Sequence, residues 1–419
     1  MLIEFSVANF RSVRERQTLS LVKAKGDERE HTNTFTAQAF NEYALLRSVA
    51  LYGPNAGGKS NFLRGLEIMR TIVQKSAKDM QRGDPLSVTP FRLQSDVRVA
   101  PSEFEVTFLV GGVRYQYGFS ATEERIHEEW LLAYPKGRPQ RWFERIWNES
   151  EGRHHWEFGA HLSGEKQLWQ KSTRLNALFL STAVHLNSEQ LQPIYDWFND
   201  KLHMAGITGW SAGFSASLCN TEKKSQVMNF LHAADMDIED IVVEEKPFDL
   251  SSLPNDVPDE IKEELKTAQF IDIKTVRTDS HGEAVVFDFD EESDGTQRLF
   301  AFSGPWIDTL EHGFVLIIDE LHSKLHPQLV QYLVELFHSD KTNPKNAQLV
   351  FTTHETSILS QDVFRRDQIW FCEKDENHAT TLYPLTDFSP RKGREDLEKS
   401  YLSGRYGALP YIRPFKAPA

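Results

Sequence analysis

The sequence predicts an α/β fold with a mixed sheet, an antiparallel β subdomain and an inserted helical lobe. Buried strands are predicted from apolar runs at 46–52, 314–318 and 347–353, because strands covered on both faces read as continuous apolar segments. Alternating apolar and polar residues around a Gly-Gly turn at 103–119 predict a hairpin. Between about 163 and 268 the apolar residues recur at helical spacing. The chain therefore combines an α/β core with a β subdomain and a helical insertion.

The other elements complete this division. Leu2–Val13 alternates like a sheet strand, and residues 24–44 are polar and are expected to form a loop. Further strands are expected at 125–134, 141–147 and 154–158, which extend the hairpin into a meander, and at 270–276 and 284–289. We predict a head formed by 1–160 plus 270–419, with the meander at 103–158, and a helical lobe at 161–269. Within the lobe, Pro254 and Pro258 are expected to flank a helix rich in Glu and Lys.

Length and composition favour a globular protein. A chain of 419 residues is long enough for two or three domains, and 40% apolar with 26% charged residues argue against disorder. The two cysteines, Cys219 and Cys372, are widely separated, which suits a reducing compartment and gives no metal-ligand cluster. Neither a signal peptide nor an apolar stretch of about 18 residues is present. We therefore expect a cytoplasmic protein without a membrane span.

The net charge of −14 bears on nucleic acid as a partner. An acidic chain gains no nonspecific affinity from counterion release on DNA, so DNA binding would need a local basic patch. The best candidate interleaves basic and aromatic residues: Lys136, Arg138, Arg141, Trp142, Phe143 and Arg145. DNA-binding proteins concentrate more charge than this, so we favour a solvated hairpin face over a DNA-binding surface.

A glycine-rich segment at 53–60 matches the phosphate-binding pattern G-x-x-x-x-G-K-[ST] between a predicted strand and helix. Its glycines let the main chain turn and approach phosphates closely. Lys59 would place its ammonium against the β- and γ-phosphates of ATP, and Ser60 would offer a hydroxyl to Mg²⁺ at the positive end of the helix. The alternative is a simple glycine turn. The predicted ATP-binding residues are Gly53, Pro54, Asn55, Gly57, Gly58, Lys59, Ser60 and Asn61.

Two adjacent carboxylates, Asp319 and Glu320, follow the apolar run Val315–Ile318. Ligands of open α/β sheets bind at the C-terminal ends of the strands. Asp319 would hold Mg²⁺, directly or through water, and Glu320 would polarise the attacking water. An ordinary strand-to-loop exit is the alternative, but the phosphate-binding loop favours the metal and catalytic interpretation.

Two further segments can be interpreted either as functional motifs or as ordinary turns and loops. Ser293-Asp-Gly-Thr-Gln297 precedes the carboxylates, and its residues favour turns and helix caps. His354 follows the third apolar run and would otherwise be an ordinary loop histidine. The order of all four segments resembles that of ABC-type ATPase heads: Walker A, signature, Walker B with a catalytic glutamate, and switch histidine. Asp294 and Thr296 depart from the usual signature LSGGQ.

The ABC resemblance implies a role for each of these segments. Ser293 and Gly295 would contact the γ-phosphate bound by a second subunit, and His354 would be the switch histidine. ATP would then promote a homodimer or higher homo-oligomer. A glutamine that links Mg²⁺ to the helical lobe is expected near 181–192, where His185, Asn187 and Gln190 compete for this role.

The whole chain resembles the RloA/AbiL-type ATPases, an SMC/RecF-like ABC branch of bacterial anti-phage systems related to the PtuA and AriA ATPases. The resemblance includes the ATPase motifs, the hairpin, Phe10-Arg-Ser12, Pro90-Phe-Arg-Leu93, Asn176-Ala-Leu-Phe-Leu-Ser181 and Tyr401-Leu-Ser-Gly-Arg-Tyr-Gly-Ala-Leu-Pro410. It implies ATP hydrolysis and control of a nuclease effector. Only 65 residues follow His354, too few for a further catalytic domain of about 100 residues. We therefore expect a separate effector, either a Toprim/RloB-like or an HNH nuclease.

Two alternatives remain open. One is a RecF/SMC-like DNA-repair ATPase, which a DNA-stimulated hydrolysis rate would favour and the acidic charge disfavours. The other is a scaffold in which ATP is structural and is not hydrolysed.

Overall fold

The computed structural model describes residues 1–205, 210–247, 269–412 and 414. The strands of these residues are β1 (Leu2–Ala8), β2 (Gln17–Ser20), β3 (Thr34–Ala37), β4 (Tyr43–Leu46), β5 (Ser48–Tyr52), β6 (Ser102–Val110), β7 (Val113–Ala121), β8 (Ile126–Tyr134), β9 (Gln140–Asn148), β10 (Arg153–Phe158), β11 (Leu202–Ala205), β12 (Asp240–Pro247), β13 (Gln269–Thr278), β14 (Ala284–Asp288), β15 (Val315–Ile318), β16 (Gln348–Thr352), β17 (Ile369–Lys374) and β18 (Thr380–Pro384).

The α-helices of the same residues are α1 (Glu30–Asn33), α2 (Lys59–Lys75), α3 (Lys166–Ser172), α4 (Phe179–His185), α5 (Gln192–Asp196), α6 (Gly213–Cys219), α7 (Lys224–Ala233), α8 (Asp294–His312), α9 (Pro327–Glu335) and α10 (Leu397–Leu402). In the part of the chain that the structure describes, no helix is both long enough and apolar enough to cross a membrane.

A six-stranded mixed sheet has the order β11-β15-β16-β5-β17-β18. Its first five strands are parallel, and β18 is antiparallel to β17. Every residue of β5, β15 and β16 is buried, as expected for parallel strands covered on both faces. The three apolar runs are thus adjacent strands, and their carboxyl ends meet at one edge of the sheet.

A seven-stranded antiparallel sheet, β10-β9-β8-β7-β6-β1-β2, contains the predicted meander. Helix α2 packs against it, with the rings of Phe5 and Phe62 5.3 Å apart in an edge-on arrangement. A Cβ atom at Gly65 would lie 3.2 Å from the Val7 side chain, so the helix and β1 are closely packed. The predicted α/β class, with a mixed sheet and an antiparallel β subdomain, is confirmed.

The secondary structure of the described residues in 163–268 is mixed, and not purely helical as the sequence had predicted. Helices α3 to α7 lie there, but so do β11 and β12. Strand β11 pairs in parallel with β15 at the edge of the mixed sheet. The predicted helix between Pro254 and Pro258 lies outside the described residues. The division into a head and a lobe at 161–269 stays a prediction.

Two local expectations were wrong. Residues 24–44 are not simply a loop, because they contain α1 and the β3–β4 hairpin, and the amide of the buried Asn33 donates to Val363 O and Gln368 Oε1. The basic stretch at 136–145 is not one solvated face. Arg145 is fully buried on β9, where it pairs with the equally buried Glu129 at 2.8 Å. A buried ion pair needs such compensating contacts, so Arg145 belongs to the core.

Candidate functional site

The glycine-rich loop lies between β5 and α2 and is pressed against β17 and β18. A side chain at Gly53 would collide with the Cys372 carbonyl oxygen, and one at Gly58 would collide with the Thr380 hydroxyl. Both glycines also have positive φ, 151° and 110°, which favours glycine. Helix α2 begins directly after the loop. Its unpaired N–H groups and positive end therefore lie beside the loop and favour an anion there.

Lys59 is buried at the start of α2, with 5% of its surface exposed. Its Nζ donates to Gly53 O at 2.8 Å and Pro54 O at 3.2 Å, and it lies 3.0 Å from Nε2 of His354. Burial lowers the pKa of Lys59, and the charges of Asp319 and Glu320 oppose this shift. A cation buried among these acceptors is well placed to exchange them for phosphate oxygens.

Ser60 and Asp319 line the same small cleft between α2 and the mixed sheet, together with Met204, Ala205 and Ile317. A hydroxyl and a carboxylate are hard oxygen ligands of the kind that Mg²⁺ takes. Among the described residues, no group of three or more His, Cys, Asp or Glu side chains could hold a metal ion. One or two protein oxygens fit Mg²⁺ that is also bound by substrate phosphates and water. The donor set therefore suits the predicted metal.

Thr352, at the end of β16, contacts both adjacent carboxylate residues. Its Oγ1 donates to Asp319 Oδ1 at 2.6 Å and accepts from the Glu320 N–H at 2.7 Å. Glu320 has a φ of 55°, a left-handed conformation that costs a non-glycine residue roughly 1 kcal/mol. The turn that directs Glu320 is thus held by hydrogen bonds from the neighbouring strand.

His354 lies next to Lys59 and edge-on to His322, with the two ring centroids 5.4 Å apart. Burial, Lys59 and His322 lower the pKa of His354 to about 4, and Asp319 opposes the shift. His354 is therefore neutral at pH 7, and its Nε2 can accept a hydrogen bond from the Lys59 ammonium. In the structure, Lys59 and His354 are therefore in contact, although they belong to separate motifs in the sequence.

The signature segment is close to the loop that follows the carboxylates. Ser293 is exposed and caps α8, with its Oγ accepting from the Thr296 N–H at 3.2 Å. Arg298 donates to Glu320 O at 3.1 Å, and a Cβ atom on Gly295 would lie 3.0 Å from Lys324 O. Among the described contacts, none joins Ser293 or Gly295 to the glycine-rich loop of the same chain.

The remaining predicted residues differ in their contacts. Pro54 and Asn55 lie at the more exposed part of the loop. The Asn61 amide donates to Ser12 Oγ at 2.9 Å, so it ties the loop to the opening segment. Gln190 contacts Ser163 and His161, which gives it a structural partner away from the loop. No described hydrogen bond connects His185 or Asn187 through its side chain to the site, so the glutamine link stays unassigned.

The sequence analysis did not assign three residues that lie near the site: Thr352, His322 and Arg298. Arg298 contacts Glu320 O. Thr352 directly precedes Thr353 and His354, and two polar residues at the end of an apolar strand were the available signal. Arg298 lies in α8 and reaches Glu320 O only through the packing of that helix, and His322, two residues after Glu320, meets His354 of the neighbouring strand end. No spacing rule in a single sequence indicates such contacts.

A glycine-rich loop between a parallel strand and a helix, with two carboxylates that follow the next strand but one of the same sheet, defines a P-loop nucleotide-binding architecture. The profile of the family described as "AAA domain, putative AbiEii toxin, Type IV TA system" matches residues 48–360. The chain belongs to this family. No curated protein matches it.

The chain is similar to two solved structures of SMC heads. For the SMC head domain from Thermotoga maritima, the identity is 13%, the coverage is 91% of this chain and 98% of that chain, and the TM-score is 0.41. For the SmcHead bound to the C-winged helix domain of ScpA, the identity is 11%, the coverage is 91% and 97%, and the TM-score is 0.40. The narrower RloA/AbiL-type identity stays a prediction.

Proposed function

We propose that the protein binds and hydrolyses ATP with Mg²⁺. The observation that carries this proposal is the convergence of Lys59, His354 and the Asp319–Glu320 turn at the carboxyl edge of one sheet. Lys59 and His354 are 3.0 Å apart, and Ser60 shares a cleft with Asp319. These side chains come from three adjacent strands and their following turns, so the fold itself assembles the site.

Each side chain has a role that follows from its chemistry. Lys59 and the N–H groups at the start of α2 would bind the triphosphate. Ser60 and Asp319 would hold Mg²⁺, which neutralises charge on the phosphates when bound. Glu320 would orient and polarise the attacking water, and neutral His354 would donate its one ring N–H to an oxygen of the γ-phosphate. Positioning and electrostatic stabilisation supply most of the catalysis in such reactions.

We propose further that two copies bind ATP between them, with Ser293 and Gly295 of one copy facing the phosphate-binding loop of the other. Two features support this assignment. Ser293 is exposed, and the described contacts connect the signature segment to the Walker B turn but not to the glycine-rich loop of its own chain. A single copy would then lack half of its site.

The biological role that we propose is bacterial anti-phage defence, in which ATP-bound dimers hold or restrain a separate nuclease of Toprim/RloB-like or HNH type. The family description names a toxin of a type IV toxin–antitoxin system, and the motif order resembles that of RloA/AbiL-type ATPases. Both point to a system of more than one component.

Phosphate release from Mg·ATP by the purified chain tests hydrolysis. We expect Glu320→Gln to lower the rate at least about 100-fold while ATP binding is retained, because an amide polarises water poorly. Glu335→Gln, on the exposed face of α9, is the matched control and should keep the wild-type rate. Tight ATP binding without turnover, unchanged by either substitution, would instead favour the scaffold alternative.

Co-purification tests the effector. Each candidate nuclease is mixed with Glu320→Gln protein, with and without ATP, and passed over a sizing column. ATP-dependent retention of one nuclease would support the proposal. Identical elution in both conditions, for every candidate, would contradict effector control by the ATP-bound state.

DNA binding is a second candidate function with a specific observation in its favour. Arg11, Arg92 and Arg98 line a cavity of about 620 Å³. Among the described residues no carboxylate forms a close ion pair with these three guanidinium groups, although Glu67 acts on Arg11 at longer range. Glu123, Glu124 and Glu149 also line this cavity, which weakens its attraction for phosphates. A hydrolysis rate that rises with duplex DNA at moderate salt, and no longer rises in Arg11→Ala, would favour this candidate.

A further inference from the structure

Thr352 is a buried residue in the middle of the mixed sheet, close to the proposed site. It ends β16, pairs with Leu51 of β5, and is fully buried. The residue before it, Phe351, pairs with Ile318 at the end of β15. Thr352 therefore lies between the strand that enters the glycine-rich loop and the strand that Asp319 follows.

Three hydrogen bonds join Thr352 to three consecutive residues. The hydroxyl contacts Asp319 Oδ1 and the Glu320 N–H, and the Thr352 carbonyl accepts from the Leu321 N–H at 3.1 Å. The direction of each bond is fixed, since an N–H can only donate and an ionised carboxylate can only accept. One hydroxyl thus satisfies both groups with its single proton and one lone pair.

These bonds constrain the two predicted functional carboxylates in different ways. Asp319 is oriented through Oδ1, and its Oδ2 has no hydrogen-bond or ion-pair partner in the part of the chain that the structure describes. Glu320 is oriented through its backbone, which is kept at a φ of 55°. A non-glycine residue persists in this conformation only where its surroundings hold it there. Thr352 holds this conformation through two hydrogen bonds. Its Oγ1 accepts from the Glu320 N–H, and its carbonyl oxygen accepts from the N–H of Leu321, the residue after Glu320.

We propose that Thr352 is a positioning residue that sets the metal-binding orientation of Asp319 and the direction of Glu320 together. This inference rests on the proposed ATP hydrolysis at the same site. Groups that hydrogen-bond a metal ligand fix its orientation, and their loss typically costs about 10–100-fold in metal affinity or activity. In this proposal Thr352 acts through Asp319 and Glu320, and not directly on the phosphates or the attacking water.

The test compares Thr352→Val, which removes the hydroxyl and keeps the shape, with Thr352→Ser, which keeps the hydroxyl. Thr353→Val is the matched control, because Thr353 is also fully buried and its Oγ1 accepts from the Glu355 N–H at 2.9 Å. The readouts are turnover of Mg·ATP, ATP affinity with and without Mg²⁺, and thermal unfolding of the protein alone.

We expect Thr352→Val to lower turnover by about 10–100-fold and to raise the Mg²⁺ concentration for half-maximal nucleotide binding by roughly the same order. ATP affinity without Mg²⁺ should change less than about threefold. Thr352→Ser should restore both properties to near wild-type values. Thr353→Val should lose thermal stability without a change in Mg²⁺ dependence.

An unchanged Mg²⁺ dependence in Thr352→Val, with rate losses no larger than those of Thr353→Val, would overturn the inference and leave hydrolysis intact. A wild-type chain that binds Mg·ATP without turnover would contradict the proposed hydrolysis, and the Mg²⁺ dependence of binding would still test Thr352. If Thr352→Val does not fold, Thr352→Ala removes the same hydroxyl and takes its place in the comparison.

Discussion

The proposed site has a phosphate-binding half, around Lys59 and Asp319, and a signature half, around Ser293, and the two halves are built differently. In the first, Lys59 and Asp319 are 5% and 7% exposed, and Lys59 hydrogen-bonds within its own chain. In the second, Ser293 and Asp294 are exposed, and Ser293 caps its own helix. One half is complete in a single chain, whereas the other presents polar groups to solvent. This difference is what the proposed sharing of the site between two copies requires.

The largest effect is expected in the buried half. Lys59→Ala should weaken ATP binding on the order of 100-fold, because hydrogen bonds to a charged group contribute roughly 1.5–3 kcal/mol each. Titration calorimetry with ATP measures it. Lys75→Ala, at the exposed end of the same helix α2, is the control and should bind normally. A normal affinity of Lys59→Ala for ATP would contradict the assignment of residues 53–60 as a phosphate-binding loop.

The signature half should affect assembly rather than folding. Aspartate caps helices about as well as serine, so Ser293→Asp should unfold within about 0.5 kcal/mol of wild type. Its carboxylate would face the phosphates of a second copy and repel them. We expect the substitution to abolish ATP-dependent dimerisation, measured by light scattering, whereas Ser293→Ala should cost about 1 kcal/mol of stability through the lost cap.

Mixing inactive variants sharpens the same comparison. A heterodimer of a Lys59→Ala chain and a Ser293→Asp chain has one intact composite site, formed by the loop of one chain and the signature of the other. Hydrolysis should reappear on mixing. Persistent inactivity of the mixture, with both variants folded, would mean that the two halves do not act in trans.

The mixed sheet that carries the phosphate-binding half should also be sensitive to acid. His338 hydrogen-bonds Ser48 at the start of β5 at 2.7 Å, and burial with Arg29 and Arg47 lowers its pKa to about 3. The unfolded chain takes up this proton below about pH 6.5 and the folded chain only near pH 3, so stability falls as the pH falls between these values. His338→Asn should reduce the loss between pH 7 and pH 5 by about 2 kcal/mol.

Urea unfolding at the two pH values measures this change. His281→Asn, in the exposed β13–β14 turn, is the control for a His-to-Asn exchange. An identical pH dependence in wild type and His338→Asn would show that the buried histidine does not account for the acid sensitivity.

The sequence was most informative where chemistry and burial coincide along a short stretch. The apolar runs before Gly53, Asp319 and His354 predicted three buried strands, since continuous apolar runs mark strands covered on both faces. The structure shows that these three strands are adjacent. The sequence was least informative where a strand is buried through pairing with a strand that is distant in the sequence. Strand β11 is short and contains His203, and only its pairing with β15 shows that it belongs to the mixed sheet.

The same limit applies to single side chains. Arg145 reads as a surface charge until Glu129 on the neighbouring strand is seen to pair with it in the core. Thr352 reads as a β-branched strand residue, which fits its backbone, and its contacts with Asp319 and Glu320 depend on the register of β15 and β16. Long-range register cannot be inferred from one sequence.

The most direct test of the shared site is the mass of Glu320→Gln in solution, measured by light scattering with and without ATP. The variant keeps Lys59, Ser60 and Ser293 but should not consume the nucleotide. We predict the mass of one chain without ATP and of at least two chains with it. A mass of one chain under both conditions, at ATP concentrations that saturate binding, would contradict the account.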